Sequence, residues 1–442
     1  MRSLSRQRTL AKLALPLVLA AAAFGQAPTG AAAPTGQTPQ EPAKPPATRE
    51  EAIQRERLAR SLNLYPDIPP PVDRLLVWGR ENRVFEKFTV GYQGFRAQFG
   101  HMISGSGLAF GAGYFRRDLR KNSLNLGVSA EISTKAYQRY EAEVGTPLAA
   151  NDRLLLGARG VWLNYPSVNF YGLGPDTEKG GRTDYRLREV SGDGVFGVRP
   201  VEKLLLGVSG GYARFSTGPG TDDRFANTTD VFTPANLPGL SEVNEFARYG
   251  AFALYDWRDR VFNPTFGGRY LLLYTRYNNV SNRPYDFGRY EADIEQYFNI
   301  FNRRRIFAVH GNTILTDADS GNTVPFYLQP TVGGAYNLRG FRSFRFTDND
   351  ALVLTGEYRW EAFSGLDMAL FVDAGKVFER ASQLNLHDLE YDGGFGFRFN
   401  ARNRVFLRID AGFSREGYQI WFKSGDIFAA RRLGTAGAQP VN

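Results

Sequence analysis

Residues that could do chemistry are few in this sequence. Gly207-Val208-Ser209-Gly210-Gly211 carries the G-x-S-x-G spacing of a nucleophile elbow, in which a tight strand-to-helix turn lifts a serine hydroxyl out for acyl transfer. Gly192-Asp193-Gly194-Val195-Phe196-Gly197 carries the G-x-G-x-x-G spacing of a phosphate cradle, which works only where a helix N-terminus follows. His101, His310 and His387 are the three histidines, and they lie far apart with no metal-ligand spacing. Asp317, Asp319, Asp348 and Asp350 could offer oxygens to calcium, although exposed acidic loops are more often simply solvated. With no cysteine in the chain, disulfides, thiolate zinc sites, iron–sulfur clusters and cysteine nucleophiles are all excluded.

The elements around these patterns decide what they mean. Ser209 sits inside a stretch of period-two alternation and not at a strand-to-helix turn, and Pro200 blocks a helix after Gly197. Neither match is expected to be functional, so no cofactor and no metal is expected. From residue 88 onward apolar and polar residues alternate, the mark of strands with two unlike faces. Leu352, Leu354, Tyr358 and Trp360 alternate with Thr355, Glu357, Arg359 and Glu361; Leu370 and Val372 alternate with Phe371 and Asp373; Phe395, Phe397 and Phe399 alternate with Arg398 and Asn400; Val405, Leu407 and Ile409 alternate with Arg404, Arg408 and Asp410. In a soluble sandwich the apolar face would meet a packed core, whereas in a membrane barrel it meets lipid and the polar face lines the interior.

Composition points the same way. The chain is 14% aromatic with 48 glycines and a mean hydropathy of −0.35, and past residue 25 no run approaches the eighteen apolar residues of a membrane helix. The ranges that read as strands number sixteen, from 88–98 to 418–428. Their connections alternate between short turns such as 199–202 and 363–365 and long loops at 167–182, 217–245 and 317–349. Short turns on one side and long loops on the other are the habit of outer-membrane barrels. The expected fold is all-β: a transmembrane antiparallel barrel of sixteen strands. Glycines relieve crowding where tilted strands curve, and Trp162, Tyr165, Tyr171, Trp257, Tyr270, Trp360 and Trp421 are expected near the membrane interfaces.

Ahead of the barrel, Arg2, Arg6, Arg8 and Lys12 precede a short apolar run at 13–24, which reads as a secretory signal peptide over 1–25. Removing those four cations lowers the formal charge of +9 to about +5, so nucleic-acid binding gains no support. Residues 26–48 form a Pro/Ala-rich linker. Residues 49–87 form a short helix at 49–62 and a periplasmic lead-in, 88–428 the barrel, and 429–442 a C-terminal tail. An even strand count places both termini in the periplasm of a Gram-negative-type bacterium.

A resemblance enters at three places. Gly333-Gly334 followed by Leu338-Arg339-Gly340-Phe341, in the longest loop, resembles the (V/L)RG(F/Y) loop motif of the BamA/TamA superfamily of outer-membrane barrels, also called bacterial surface antigens. Phe371-Val372-Asp373-Ala374-Gly375 resembles that family's F-x-D-x-G strand, and five strands follow the loop motif, as in the family's sixteen-stranded fold. The resemblance implies that the loop folds back into the barrel and that Arg339 pairs with Glu357 and Asp373 as a structural lock that also contains Gly340, Phe341 and Gly375. The alternation independently puts both carboxylates on the inward face, where charge-assisted bonds to a planar guanidinium are stronger than at an exposed surface. Gly417, Ile420, Phe422 and Phe428 fit an outer-membrane assembly signal. The chain departs from the family's best-known members in that about sixty residues before the barrel cannot hold a POTRA domain, and fourteen residues follow the last strand.

The resemblance implies a non-enzymatic barrel assisting insertion or translocation of proteins or lipids at the outer membrane, through a weakly paired seam between first and last strands. Its expected partners are outer-membrane lipid and lipopolysaccharide, the barrel-assembly machinery during biogenesis, and a periplasmic partner at 49–62. The alternatives are a passive pore or structural barrel, and an outer-membrane lipid hydrolase, which would need a Ser–His pair on the outward face.

Overall fold

The structure, a computed structural model, describes residues 48–62 and 94–423 apart from 101, 120–123, 147–152, 262, 301–303, 364 and 402–403. The signal peptide, the linker and the tail, including Phe428, lie outside the described residues. Helix α1 spans Arg49–Leu62. The Thr48 hydroxyl accepts from the Glu51 amide at 3.3 Å, and Glu50 and Glu51 set negative charge in its first turn, which suits the positive end of the helix dipole.

Among the described residues, sixteen strands form one antiparallel meander in chain order. They are β1 Phe95–Gly100, β2 Ala109–Leu119, β3 Leu124–Ser133, β4 Gln138–Gly145, β5 Leu154–Phe170, β6 Thr183–Val201, β7 Leu204–Pro219 and β8 Val243–Asp256. Then follow β9 Gly267–Asn279, β10 Phe287–Ile300, β11 Arg305–Ala318, β12 Asp350–Phe363, β13 Leu366–Phe378, β14 Glu390–Ala401, β15 Arg404–Ser414 and β16 Gly417–Lys423. Each strand read from the alternation has its counterpart in the same order, and β1 runs two residues past the end at residue 98. The segments around Gly192–Gly197 and Gly207–Gly211 lie in β6 and β7, paired with each other. The glycines serve a strand pair and not a helix.

The pleat sorts the side chains as lipid outside and a polar interior require. In β13, Leu370 and Val372 are 52% and 61% exposed while Phe371 and Asp373 are 3% and 0%. Apolar side chains in the open with charges buried is the inverse of a soluble sheet. The aromatic reading needs correcting for three residues: Tyr165, Tyr171 and Trp421 are buried. Tyr165 and Trp421 fall on the inward parity of their strands, and Tyr171 lies beneath the Arg345 guanidinium, 4.9 Å from its centre. Trp162 does face outward.

Strand pairing is continuous from β1 to β16, with register shifts such as those at Arg116/Leu119 and Phe399/Asn400, and among the described residues no strand register joins β16 back to β1. The two edges still meet. A Cβ on Gly100 would lie 3.3 Å from the Phe422 carbonyl, and Lys423 Nζ donates to the Met102 carbonyl at 3.3 Å. The connection from β11 to β12 is turned inward, with Val324–Pro330 and most of 332–348 buried. Its residues Val324, Phe326, Tyr327 and Leu328 share an apolar cluster with Leu237 and Leu240 of the β7–β8 loop and with inward residues such as Leu163, Phe215 and Phe246.

Candidate functional site

The inward loop is shaped by its own short-range bonds. Two-residue strands pair Thr331 with Thr347 and Val332 with Phe346, closing a loop-within-a-loop over 333–345. Asn337 Oδ1 accepts from the Gly333 and Leu338 amides at 2.9 and 2.8 Å, so the side chain gives two loop amides a partner they cannot find in a sheet. The Gly334 amide donates to the Leu338 carbonyl and the Phe341 amide to the same acceptor, both at 3.1 Å. Phe341 is buried edge-on against Phe346, with ring centroids 5.5 Å apart. Leu338, Phe341, Phe346 and Val332 form one apolar cluster with Ala351, Val353 and Val377 of the wall.

That turn carries Arg339 against the wall strands. Its Nε and Nη2 donate to Asp373 Oδ2 and Oδ1 at 2.7 and 2.8 Å, a bidentate fork. Its Nη1 donates to Glu357 Oε2 at 2.7 Å. The guanidinium centre stacks 3.3 Å from the centroid of Phe371, a cation–π contact in a dry setting. Burial pulls the Arg339 pKa down, but the charge and hydrogen bonds of Asp373, followed by Glu357 and Asp410, outweigh it and push the pKa above its usual value. The adjacent backbone is held as firmly. The Gly340 amide donates to Asp392 Oδ2 at 2.8 Å, the Gly340 carbonyl accepts from Ser414 Oγ at 2.9 Å, and the Arg339 carbonyl accepts from Trp421 Nε1 at 2.7 Å.

The wall explains why the loop is wanted there. Asp373 of β13 and Asp392 of β14 are direct register partners, and like charges facing each other across a strand pair are destabilising. Arg339 takes the first carboxylate and the Gly340 amide the second. Glu357 is a hub: besides Arg339 it accepts from Arg359 Nε at 2.7 Å and from Arg398 Nη2 at 3.1 and 3.0 Å. Arg398 also bonds Asp410, and Arg408 Nε lies 2.8 Å from Asp410 Oδ2 while its Nη2 donates to the Ala335 carbonyl of the loop at 2.6 Å. In formal charges the wall contributes Glu357, Asp373, Asp392 and Asp410 against Arg359, Arg398 and Arg408. Arg339 balances that count.

Space is as tight as charge. A Cβ on Gly340 would come within 2.6 Å of Asp392 Cβ, and one on Gly375 within 2.7 Å of the Leu352 carbonyl. A Cβ on Gly412 of β15 would stand 2.5 Å from the Arg339 carbonyl carbon. Sequence reading named Arg339, Gly340, Phe341, Glu357, Asp373 and Gly375, and the structure brings all six into or beside this cluster. It missed Asp392, Arg398, Arg408, Asp410, Gly412, Ser414 and Trp421. A signal existed for the charged ones, since each falls on the inward parity of a strand that follows the loop. The proposed assembly-signal residues Ile420 and Phe422 face outward, and Gly417 begins β16 with φ at +113°.

Other candidate residues have different surroundings. Ser209 is buried on the inner face of β7, so it does not supply an outward Ser–His pair. His310 Nε2 is 3.0 Å from Asp293 Oδ2 within the wall. Asp319 is paired with Arg276, and Asp350 Oδ1 accepts from the Thr316 amide at 2.6 Å.

A membrane-facing antiparallel sheet wrapped around an inward loop, with an arginine of that loop bound to strand carboxylates, defines a class of outer-membrane barrel. The sequence matches the Omp85 superfamily domain over residues 77–401, and the chain belongs to the Omp85 superfamily, whose barrels sit in the outer membrane. Its fold is similar to BamA from Haemophilus ducreyi lacking POTRA domains 1–3, at 15% identity and TM-score 0.52 over 76% of this chain and 69% of that one. It is also similar to CdiB from Escherichia coli, at 12% identity and TM-score 0.53 over 74% of this chain and 61% of that one. No curated protein matches the sequence.

Proposed function

We propose that this chain assists the insertion or translocation of proteins or lipids at the outer membrane, with the β1–β16 seam as its working edge and the Arg339 loop as the lock that sets the wall beside it. An available strand edge can template an incoming strand through main-chain hydrogen bonds. One observation carries the reading: Trp421, in the last strand, donates to the carbonyl of Arg339 itself, so the loop's anchor and the edge of the sheet are one assembly. In this reading both termini face the periplasm, α1 meets a periplasmic partner, and the outward Ile420 and Phe422 serve recognition by the barrel-assembly machinery.

Because the chain has no cysteine, introduced pairs report without background. Cysteine pairs scanned along Phe95–Gly100 and Gly417–Lys423 should form disulfides and, once formed, abolish the function in cells, with reductant restoring it. A locked seam that leaves the cellular phenotype at the parent level sinks the insertion reading. A passive pore is disfavoured by the buried loop in the interior, and planar-bilayer recordings should show no steady open conductance.

A further inference from the structure

Two residues of the inward loop, just past the lock, reach the two sides of the seam. Ser343 is fully buried; its amide donates to Ser104 Oγ at 3.2 Å, and its own hydroxyl accepts from Ser104 at 3.1 Å. Ser104 belongs to the connection from β1 to β2. Arg345, 1% exposed, turns to the other edge: its Nε donates to Glu416 Oε1 at 2.8 Å, and Glu416 lies in the two-residue turn between β15 and β16. The rest of its fork holds the β5–β6 loop, with Nη1 on Thr177 Oγ1 at 2.8 Å and Nη2 on the Thr177 carbonyl at 2.6 Å. Between the two stands Phe344 with φ at +61°. Bulky residues avoid that left-handed conformation unless their surroundings impose it.

We propose that Ser343-Phe344-Arg345 is a clasp that fastens the first edge of the sheet to the last, and that releasing it is what lets the seam open. The lock places this clasp but does not replace it. The Arg339 side chain binds β12 and β13, and its carbonyl reaches only the last strand, through Trp421, whereas Ser343 and Arg345 hold the β1–β2 connection and the β15–β16 turn. The buried Arg345 guanidinium satisfies acceptors on the β15–β16 turn and the β5–β6 loop, while Ser343, two positions before it, holds the β1–β2 connection. One short stretch of loop therefore bridges the two edges, and it cannot leave one of them without stranding buried polar groups. The left-handed Phe344 stands between them, and the residues on its two sides serve opposite edges. That the opening matters for activity rests on the seam reading above. That the clasp controls the opening does not.

The full-length protein in lipid vesicles tests this. Spin labels on cysteines replacing Ala97 and Tyr418, on the outward faces of β1 and β16, report the seam by pulsed electron resonance. The parent should give one narrow distance, and Ser343→Ala with Arg345→Ala together should add a longer population at several-fold the parent's open fraction. Ser104→Ala, a change in a loop outside the strands, should give a smaller shift in the same direction and serves as the readout if the double variant fails to fold. Parent-like distances in a folded double variant, or in Ser104→Ala when the double variant cannot be obtained, overturn the clasp. A widened seam whose cellular activity is insensitive to the disulfide lock upholds the clasp and removes the insertion reading.

Discussion

Two of the buried ionic networks among the described residues on the inside of this sheet are built from the same residue types and do different work. One joins β9, β10 and β11: Arg269 Nη1 donates to Asp293 and Glu295 at 3.0 and 3.1 Å, Arg258 reaches Glu295 at 3.2 Å, and His310 meets Asp293. Every member sits on a strand, or on a turn joining strands, already held by a backbone ladder. The other joins β12 to β15 through Arg339, which has no ladder of its own. A charge pair between strands already zipped together adds little that the ladder has not supplied. A charge pair that recruits a loop has the whole loop as its lever. Leverage, and not the number of short contacts, is what separates the two networks.

Removing the central arginine of each network tests this. Arg339→Ala strands Asp373 and leaves Asp392 facing it, so the loss should be about 3–5 kcal/mol, the usual cost of breaking one partner out of a buried pair. It should appear as a large fall in the temperature at which the folded band disappears on a heat-modifiability gel, together with proteolytic cleavage within 333–345. A gel indistinguishable from the parent would show that the loop is held by apolar packing alone.

Second in size is a change that touches no charge. Gly412 faces the loop from β15, and the atoms that a Cβ would meet are the Arg339 carbonyl carbon and oxygen at 2.5 and 2.6 Å. Backbone cannot swing aside as a side-chain tip can, so Gly412→Ala should cost about 1–3 kcal/mol, the range for overpacking. Its signature should match that of Arg339→Ala in kind, with the loop cleaved before the strands melt. Uniform melting with no early loop cleavage would mean that β15, and not the loop, yields.

Third comes the other network. Arg269→Ala leaves Asp293 with His310 and Glu295 with Arg258 and with the Tyr297 hydroxyl at 3.1 Å. The expected loss is about 1 kcal/mol, that of ordinary hydrogen bonds whose acceptors keep other donors. Thermal scans of both arginine variants in one detergent compare them directly, and an Arg269→Ala loss equal to that of Arg339→Ala would erase the distinction drawn between wall and lock.

How much of this was legible beforehand follows from what alternation can encode. Period two fixes which face a residue takes, so sixteen strands, their order and the inward parity of Glu357 and Asp373 could all be read from residue types. Trp421 shows where that reading failed. Its type suggested a membrane interface, yet its parity put it inside, and parity won because the pleat leaves no choice once the neighbours Ile420 and Phe422 face lipid. Depth within the sheet is another matter. Nothing in the sequence says that Arg398 lies level with Asp410 and Glu357, because that depends on the stagger between strands joined through turns of different length. Nor does spacing reveal that Gly412 lies under Arg339, seventy-three positions away, or that Ser343 and Arg345 part to opposite edges. Such contacts come from the path of a loop whose own bonds have no period.

The smallest effect is expected on the other side of the same wall. Gly356 precedes the hub carboxylate Glu357 in β12, so the pleat turns it to the outer face, and a Cβ there would meet nothing within 4 Å. Gly356→Ala should therefore be neutral or stabilising by up to about 0.5 kcal/mol, since alanine loses less backbone freedom on folding and adds apolar surface to a lipid-facing position. Set beside Gly412→Ala, it asks whether the lock strands are sensitive as strands or only where the loop touches them. The two glycines each gain one methyl group in a strand interior and differ in the face on which it lands. If Gly356→Ala lowers the melting temperature as far as Gly412→Ala does, the cost belongs to strand curvature, and the contact between β15 and the Arg339 backbone cannot be what sets the glycine at 412.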